Sequence, residues 1–396
     1  MAACELSKKT DSILILERMN QPGKKILATG NGKCNLTNLL MNENCFRGSG
    51  SQLAMYGLNM LSPEALRSYF YDLGLLTLER NGYVYPMTEQ AKTLLHTLLR
   101  VLSQRNISIY TGQTVKKIHC KGDYAYEIET EDTSYRASHV ILACGGKASP
   151  KLGSDGSGYT LAKQCGLSIV KPLPALTGLC SSRKVFKNLA GVRTKGCLSY
   201  FTREGRYVKE QGEIQLADYG ISGIPVFQIS RYVIADLEEQ KECELQFDFF
   251  PDYTFQDLKD IVKDFRERPG VTCQEVLEGI VHEKWVPVLL GESGISPKDS
   301  TGQVPEKKWN KLVQNLKQYP IYIKGYRDFS FAQCTQGGVA AEEVTKELET
   351  KKQKGLYITG ELLDVDGTCG GYNLHWAFTS GYIAARSIAG RQENIG

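Results

Sequence analysis

The segment that most limits the possible folds of this chain runs from Gly355 to Ala385 and reads GLYITGELLDVDGTCGGYNLHWAFTSGYIAA. An apolar strand, Leu356 to Thr359, ends in Gly360-Glu361, and an acidic loop then leads to Gly370-Gly371 before a helical run. Paired glycines let a ligand approach the backbone, and free N–H groups at a helix start favour electron-rich atoms. The pattern is typical of an α/β protein that binds a phosphate or a ring. Gly-Gly before a helix can also be only a tight connection.

A second apolar strand lies near the start of the chain. Ser12 to Leu16 reads SILIL, as expected of a buried parallel strand, and Glu17 stands at its carboxyl end. In a dinucleotide-binding βαβ unit such an acid bonds the ribose hydroxyls, about 20 residues beyond a glycine-rich turn. Met1 to Lys9 indicates the helix that follows such a turn. The alternative is that Glu17 is an ordinary carboxylate at the end of a strand.

The segment after this strand, Gly23 to Asn38, reads GKKILATGNGKCNLTN. Together with Gly360 to Leu374 it resembles two signatures, GxKxxxSGxGxCNxTN and GExxDxxGxxGGYNLQ, of the bacterial flavoproteins called the BaiN-like or aminoacetone oxidase family. His375 stands at the usual Gln position of the second signature. The resemblance covers essentially the whole chain, with further matches at Tyr85-Pro86, Ala143 to Gly146, Gly153 to Gly158 and Tyr219 to Gly223.

The resemblance implies that the chain binds FAD. Asp364 would reach the ribityl hydroxyls, and Gly371 to Leu374 would place main-chain N–H groups at the pyrimidine end of the ring, where reduction puts negative charge. Gly153 to Gly158 would shape the flavin site rather than bind NAD(P), because no ribose-reading acid follows it. The predicted cofactor-binding residues are Glu17, Arg18, Lys24, Lys25, Gly30, Gly32, Cys34, Asn35, Val115, Ala143, Gly145, Gly146, Gly360, Glu361, Asp364, Gly370, Gly371, Tyr372, Asn373 and Leu374.

The resemblance also raises an expectation about the beginning of the chain. Family members begin with an apolar strand and a GxGxxG/A turn, and this sequence contains neither before Ser12. That strand is normally central in the sheet, and its turn cradles the pyrophosphate. The sequence therefore predicts a start codon that was assigned too late or a truncated gene.

Composition supports a large globular protein. With 396 residues and 41% hydrophobic content, the chain can hold two or three domains. A formal charge of +4 gives no reason to expect nucleic-acid binding. Its 12 cysteines include no CxxC, so neither a metal site nor a dithiol motif is expected. Without a signal peptide or a bilayer-spanning apolar run, the cysteines are predicted to be reduced and the protein cytoplasmic, with no membrane partner. The sequence does not predict an oligomeric state.

The predicted fold class is α/β, with a discontinuous Rossmann-like FAD-binding domain that lacks its N-terminal strand, an inserted β-rich barrel-like domain and a helical subdomain. The domain limits are 1–166 with 335–396, 167–253 with 319–334, and 254–318. Predicted helices span Met1–Lys9, Ser62–Leu73, Glu89–Ser103 and parts of Phe255–Lys317, which breaks near Pro269 and around Ser293–Pro305. Predicted strands span Ser12–Leu16, Ile107–Tyr110, Val115–Cys120, Tyr124–Thr130, Tyr135–Ala137, Val140–Cys144, Gly178–Ser181, Gly196–Phe201, Ile224–Ile229, Cys243–Phe249, Ile321–Phe331 and Leu356–Thr359.

Several residues have both a chemical and a structural interpretation. Val115 is either an adenine neighbour or an ordinary core residue. Cys34 is expected beside the flavin ring, in a packing role rather than as a nucleophile or covalent link, because no His or second Cys partner is nearby in sequence. His375 is a candidate general base, although a structural histidine is the simpler interpretation. Tyr219 is the other candidate on the substrate side. A Thr-His pair common in the family is replaced here by Ala217-Asp218, so the role of that histidine does not transfer.

The leading functional hypothesis is an FAD-dependent oxidoreductase in which a small organic substrate gives a hydride to the flavin, which oxygen or another acceptor reoxidises. The resemblance implies an amine or a cyclic, steroid-like ketone as the substrate. One alternative is a flavin reductase that takes electrons from NAD(P)H. Another is a degenerate, non-catalytic protein, because the phosphate-binding turn is missing.

Overall fold

The computed structural model describes residues 1–10, 12–105, 107–268 and 270–393. The helices in these ranges are α1 Ala2–Leu6, α2 Lys24–Ala28, α3 Ser51–Met60, α4 Pro63–Asp72, α5 Ala91–Gln104, α6 Ser157–Gln164, α7 Val185–Leu189, α8 Ile224–Leu237, α9 Phe255–Arg266, α10 Cys273–Glu278, α11 Val286–Glu292, α12 Glu306–Lys317 and α13 Tyr372–Glu393. The strands are β1 Leu14–Glu17, β2 Thr37–Asn38, β3 Phe46–Arg47, β4 Thr77–Arg80, β5 Tyr83–Pro86, β6 Ser108–Thr111, β7 Lys117–Gly122, β8 Ala125–Glu129, β9 Ser134–Ala137, β10 Val140–Leu142, β11 Ile169–Ala175, β12 Leu179–Ser181, β13 Arg193–Phe201, β14 Tyr207–Ala217, β15 Gly220–Ser222, β16 Cys243–Asp248, β17 Tyr319–Tyr326, β18 Cys334–Val339, β19 Leu356–Ile358 and β20 Asp366–Gly367.

The chain forms two compact units, residues Met1–Pro174 with Ala332–Gly396 and residues Ala175–Phe331. The first unit contains two parallel strand pairs. β1 lies beside β6, and β10 lies beside β19. In the ranges that the structure describes, no other strand pairs with β1 or β10. Smaller antiparallel sheets, β7-β8-β9 and β2-β5-β4, complete this unit together with the pairs β3-β20 and β11-β18.

Long helix α13 organises the core of the first unit. Every residue of β19 is buried, as expected of a parallel strand that is covered on both faces. Leu356 and Ile358 belong to the same buried cluster as Trp376 and Ile383 of α13. By contrast, Leu14 of β1 is 38% exposed. The carboxyl end of β19 is therefore held rigidly against the first turns of α13.

The second unit is a closed six-stranded barrel in the order β12-β15-β14-β13-β16-β17. Beside it, the rings of Phe249, Trp285 and Tyr319 pack edge to face, with centroids 5.0 to 6.2 Å apart. Helix α12 packs against β16 and β17, and α11 begins directly after Trp285. This architecture confirms the predicted α/β fold class with a barrel-like β domain and a helical part.

Most predicted elements are confirmed within a few residues, and three predictions are wrong. Ile224–Ile229 is not a strand but the start of helix α8, which has Pro225 in its first turn. Val115 precedes β7, which begins at Lys117, so it is not in a strand. Strand β17 ends at Tyr326, five residues earlier than predicted. The predicted break near Pro269 lies outside the described residues.

Every helix in the described ranges is too short or too polar to cross a bilayer.

Helix α9 offers a test of local stability. The hydroxyl oxygen of Thr254 accepts the N–H of Asp257 at 3.1 Å, and the Asp257 carboxylate accepts the N–H of Thr254 at 2.7 Å, which forms a capping box. We expect Thr254→Ala to lower the free energy of unfolding of the second unit by about 1 kcal/mol. Thr254→Ser keeps the hydroxyl and should retain most of the stability. Urea unfolding followed by circular dichroism measures both, and equal stability of the two variants would contradict a capping role.

Candidate functional site

A polar cluster, which we call the Lys25–Glu361 cluster, lies beyond the carboxyl ends of β10 and β19. It consists of Lys25, Gly146, Ser154, Thr335 and Glu361. The Lys25 ammonium lies 3.3 Å from the carboxylate of Glu361, and it also donates to the carbonyl of Ala148 at 3.1 Å. The other carboxylate oxygen of Glu361 accepts the N–H of Thr335 at 2.8 Å. Residues distant in sequence thus converge where ligands bind in open α/β sheets.

Close packing in this cluster requires a residue without a side chain at position 146. A Cβ on Gly146 would lie 2.5 Å from Oε1 of Glu361 and 2.5 Å from Oγ1 of Thr335. The Thr335 hydroxyl in turn accepts the N–H groups of Lys147 and Ala148, at 2.8 and 3.1 Å. The loop after β10 is therefore fastened to the first residues of β18, and its backbone approaches Glu361 closely.

A second cluster surrounds the start of α13 and consists of Asn35, Thr37, Gly371, Asn373 and His375. The Asn373 side chain accepts the N–H of Gly367 at 2.8 Å and donates to its carbonyl at 2.9 Å, which closes the loop before the helix. The first N–H groups of α13 have no partner within the helix and carry partial positive charge. These two hydrogen bonds thus fix the start of α13, whose N–H groups favour electron-rich atoms.

Asn35 is one of two residues in this cluster with a buried side-chain atom that has no partner among the described residues. It is 8% exposed, and its Oδ1 has no hydrogen-bond partner among the described residues. A Cβ on Gly371 would lie 2.7 Å from this oxygen, so the acceptor is adjacent to the helix start. Burying an unpaired acceptor costs free energy unless a ligand supplies the donor. A ring with one N–H donor flanked by carbonyl oxygens matches this arrangement of acceptor and helix N–H groups.

His375 is buried at 1% exposure, one turn into α13. Its Nδ1 lies 2.9 Å from the hydroxyl of Thr37, and its Nε2 has no hydrogen-bond partner among the described residues. Burial lowers the pKa of His375 to about 4, so the ring is neutral at pH 7. A neutral, enclosed imidazole favours the structural interpretation over that of a general base, and the catalytic role remains a prediction.

Cys34 ends a tightly curved loop. Gly30, Asn31, Gly32 and Cys34 all have positive φ, and Gly30 and Gly32 are exposed. Cys34 itself is completely buried, and burial raises the pKa of its thiol to about 11. The thiol is therefore protonated at neutral pH and packs in the core with Leu36 and Leu66. These facts agree with a packing role.

The end of β1 carries the predicted ribose-binding acid. One carboxylate oxygen of Glu17 accepts the N–H of Met19 at 2.8 Å, and the other has no partner in the described part of the chain. Arg18 forms an ion pair with Asp155 of the Gly153 to Gly158 segment. The structure thus places this glycine-rich segment beside the β1 end, with one acceptor of Glu17 still available.

Asp364 is buried and fully engaged by backbone groups. Its Oδ2 accepts the N–H of Ser49 at 2.8 Å, and its Oδ1 accepts the N–H of Gly337 at 3.0 Å. Both oxygens therefore hold neighbouring loops together. Contact between Asp364 and a ribityl chain remains a prediction.

The other predicted residues fall into separate places. Gly360, Gly370, Tyr372 and Leu374 adjoin α13, and the Gly360 carbonyl accepts the indole N–H of Trp376 at 3.0 Å. The Tyr372 hydroxyl donates to the carbonyl of Leu40 at 3.0 Å. Ala143 and Gly145 follow β10, Lys24 precedes Lys25 in α2, and half-buried Val115 packs against the core. Tyr219 belongs to the second unit.

Sequence reasoning missed three side chains in these clusters, namely Thr37, Ser154 and Thr335. Thr37 lies inside the matched CNLTN segment, so its position in that motif was an available signal. Ser154 lies 3.5 Å from the Lys25 ammonium, and it belongs to the Gly153 to Gly158 segment that the resemblance placed at the flavin site. Thr335 bridges elements almost 190 residues apart, which only the folded chain reveals.

Comparison with known proteins identifies the family of this chain. The family description "HI0933-like protein Rossmann domain" matches residues 1–387. The chain is 41% identical over 383 residues to the 3-dehydro-bile acid delta(4,6)-reductase of Clostridium scindens, covering 96% of this chain and 93% of that protein. It is 24% identical to a ribosomal RNA dihydrouridine synthase of Haemophilus influenzae, covering 98% and 95% of the two chains.

Among solved structures, the chain is similar to a quinol fumarate reductase of E. coli, with a TM-score of 0.48 and 14% identity over all of this chain and 68% of that one. The fold, the family match and the bile-acid relative define a Rossmann-type flavoprotein oxidoreductase, which confirms the class predicted from the two long motifs. More specifically, the chain belongs to the HI0933-like Rossmann family.

Proposed function

We propose that the chain is an FAD-dependent reductase of carbon–carbon double bonds conjugated to a ketone in a polycyclic organic acid. The relatives support the reductive direction. One is named a delta(4,6)-reductase of a 3-dehydro-bile acid and others are named dihydrouridine synthases, and both names describe adding hydrogen to a double bond. The bile-acid enzyme is the more similar at 41% identity, which favours a ketone-bearing acid over RNA. The net charge of +4 is small for a chain of 396 residues, so it gives no specific support for an RNA substrate.

The observation that carries the cofactor assignment is the unpaired Oδ1 of Asn35 beside the start of α13. Asn35 would accept the single ring N–H of the flavin, and the helix N–H groups would face its carbonyl oxygens. When bound and reduced, FAD would supply a hydride to the substrate, and the reduced ring would carry negative charge on its pyrimidine edge. The positive end of α13 stabilises that charge before the reaction begins.

Two further parts of the first unit fit the rest of FAD. The second carboxylate oxygen of Glu17, which does not bond Met19, would accept hydrogen bonds from the ribose hydroxyls. In the Lys25–Glu361 cluster, the Lys25 ammonium neutralises Glu361 at 3.3 Å, which keeps that carboxylate in place as an acceptor for ribityl hydroxyls. These residues bind and orient the cofactor and do not themselves transfer protons.

The proposed reaction is balanced with a reduced nicotinamide as the electron source. The substrate carbon distant from the ketone gains a hydride, the carbon next to the ketone gains a proton from solvent, and the double bond becomes single. The nicotinamide is oxidised once for each double bond reduced. NAD(P)H is therefore proposed as the donor, although no residue is assigned to its binding.

The function is tested with purified full-length protein incubated with FAD and desalted. We expect a flavin absorption spectrum that bleaches under anaerobic NADH or NADPH and returns when a 3-oxo-4,6-diene bile acid is added. Mass spectrometry should show two added hydrogen atoms for each double bond. Bleaching by the saturated compound would instead support the oxidative direction, and dihydrouridine formation in ribosomal RNA alone would replace the proposed substrate.

Asn35→Ala tests the cofactor contact. We expect the dissociation constant for FAD to rise about 10-fold, because one hydrogen bond to the ring is lost. The stability of the flavin-free protein should hardly change, since this side-chain oxygen has no protein partner to lose. The matched control is Asn44→Ala, an exposed residue. Fluorescence titration of FAD measures the affinities, and unchanged FAD binding by Asn35→Ala would contradict the proposed contact.

A further inference from the structure

An arginine in the second unit lies over two aromatic rings. The guanidinium carbon of Arg327 is 4.7 Å from the centroid of the Tyr219 ring and 3.4 Å from that of Phe331. The Phe331 ring is 57% exposed. Stacking of this kind restrains a planar guanidinium while its N–H groups, which point outward in the plane, stay available.

The backbone around Arg327 is also fixed. Its N–H donates to the carbonyl of Gly178 at 2.9 Å, and its own carbonyl accepts the hydroxyl of Thr177 at 3.2 Å. The Tyr219 ring packs directly on Gly178, where a Cβ would lie 2.8 Å from the phenol oxygen. Arg327 and Tyr219 thus both contact the short segment Thr177-Gly178, which fixes their positions relative to each other.

Two of the other arginines that lie over aromatic rings have carboxylate partners. Arg183 lies over Tyr319 and pairs with Glu292, and Arg391 lies over Tyr124 and pairs with Glu349. In the described part of the chain, Arg327 has no such partner.

One oxygen of the carboxylate next in sequence is engaged by a backbone group. Oδ1 of Asp328 accepts the N–H of Ser330 at 2.8 Å. The phenol hydroxyl of Tyr219 likewise has no hydrogen-bond partner among the described residues. Five guanidinium N–H donors and one hydroxyl therefore lie together, and no acceptor for them is found among the described residues.

We propose that Arg327, with Tyr219, binds the carboxylate of an acidic organic substrate. A half-buried guanidinium with no internal anion matches a carboxylate, whose two oxygens accept parallel N–H bonds. The adjacent hydroxyl donates a further hydrogen bond to the same group. The proposal rests on the proposed function for the nature of the substrate, and it makes Arg327 a specificity-determining residue rather than a participant in hydride transfer.

The test separates carboxylate binding from catalysis. A 3-oxo-4,6-diene bile acid and its methyl ester are titrated into the full-length protein by calorimetry, without turnover. We expect the parent protein to bind the acid more tightly than the ester. In Arg327→Gln, affinity for the acid should fall on the order of 10- to 100-fold while affinity for the ester is unchanged. Arg327→Lys keeps the charge but loses the planar guanidinium. Its affinity for the acid should lie between that of the parent and that of Arg327→Gln.

The matched control is Arg206→Gln, which removes an exposed arginine that also lies over a tyrosine ring, 5.0 Å from the centroid of Tyr232. Arg206→Gln should bind the acid more tightly than the methyl ester, as the parent protein does. Equal binding of acid and ester by the parent, no binding of either, or an unchanged preference in Arg327→Gln would each overturn the proposal. Binding of the acid that depends on Arg327, without reduction of its double bonds, would instead reject only the proposed function.

Discussion

Replacement of Gly371 by alanine is expected to abolish flavin retention and to lower the free energy of unfolding of the first unit by about 3 kcal/mol. Gly371 has φ of +96°, a conformation that alanine adopts only with strain. An added Cβ would also lie 2.8 Å from the carbonyl oxygen of Thr37 and 2.7 Å from Oδ1 of Asn35. Thr37 pairs with Val84 in the small sheet and cannot easily move. The overlap of the added Cβ with these two oxygens therefore moves the start of α13 away from Oδ1 of Asn35.

The measurement combines thermal unfolding with the visible spectrum after FAD incubation and desalting. Gly390→Ala in the same helix is the matched control, because a Cβ there meets nothing within 4 Å. It should stabilise the protein by about 0.5 to 1 kcal/mol, since alanine favours a helix more than glycine does. A Gly371→Ala protein that unfolds like the parent and retains FAD would show that the helix start tolerates displacement, which would undermine the cofactor site.

Sequence patterns located the strand ends of this fold well. Leu356 to Thr359 was recognisable because a short apolar run before Gly-Glu has few alternatives, and the structure has β19 at Leu356–Ile358. The segment from Ile224 misled because its β-branched residues favour a strand. Pro225 in a first turn is a helix signal, and the buried positions Val226, Ile229 and Val233 follow a helical period. Periodicity over the longer window was the better evidence.

The candidate site was less accessible to sequence reasoning. Motif matches predicted a role for Lys25 and Glu361, but their contact spans 336 residues and depends on how β10 and β19 pair. Asp364 shows the opposite difficulty, because a motif position does not reveal that backbone N–H groups engage both carboxylate oxygens. The unpaired oxygen of Asn35 could not be predicted at all, since hydrogen-bond satisfaction is a property of the complete fold.

The second large effect concerns pH. Because burial lowers the pKa of His375 to about 4, the unfolded chain, with a histidine pKa near 6.5, binds this proton more readily than the folded protein. The stability associated with the neutral ring is therefore complete above pH 6.5 and is lost as the pH falls toward 4. At pH 4.5 the loss from this residue amounts to about 2.5 kcal/mol of the free energy of unfolding.

His375→Gln removes the titrating group but keeps a polar side chain that can bond the hydroxyl of Thr37, 2.9 Å from Nδ1 in the parent. Urea unfolding gives the free energy of unfolding at pH 7.5 and at pH 4.5. The decrease between the two pH values should be about 2.5 kcal/mol smaller for the variant than for the parent. His96→Gln removes an exposed imidazole on α5 and reports any general effect of the exchange. Carboxylates that titrate in the same range contribute equally to parent and variant, so they cancel in the difference. An equal decrease in the free energy of unfolding for parent and variant would mean that His375 is protonated as readily in the folded protein as in the unfolded chain. A role for His375 as a proton carrier would then regain support.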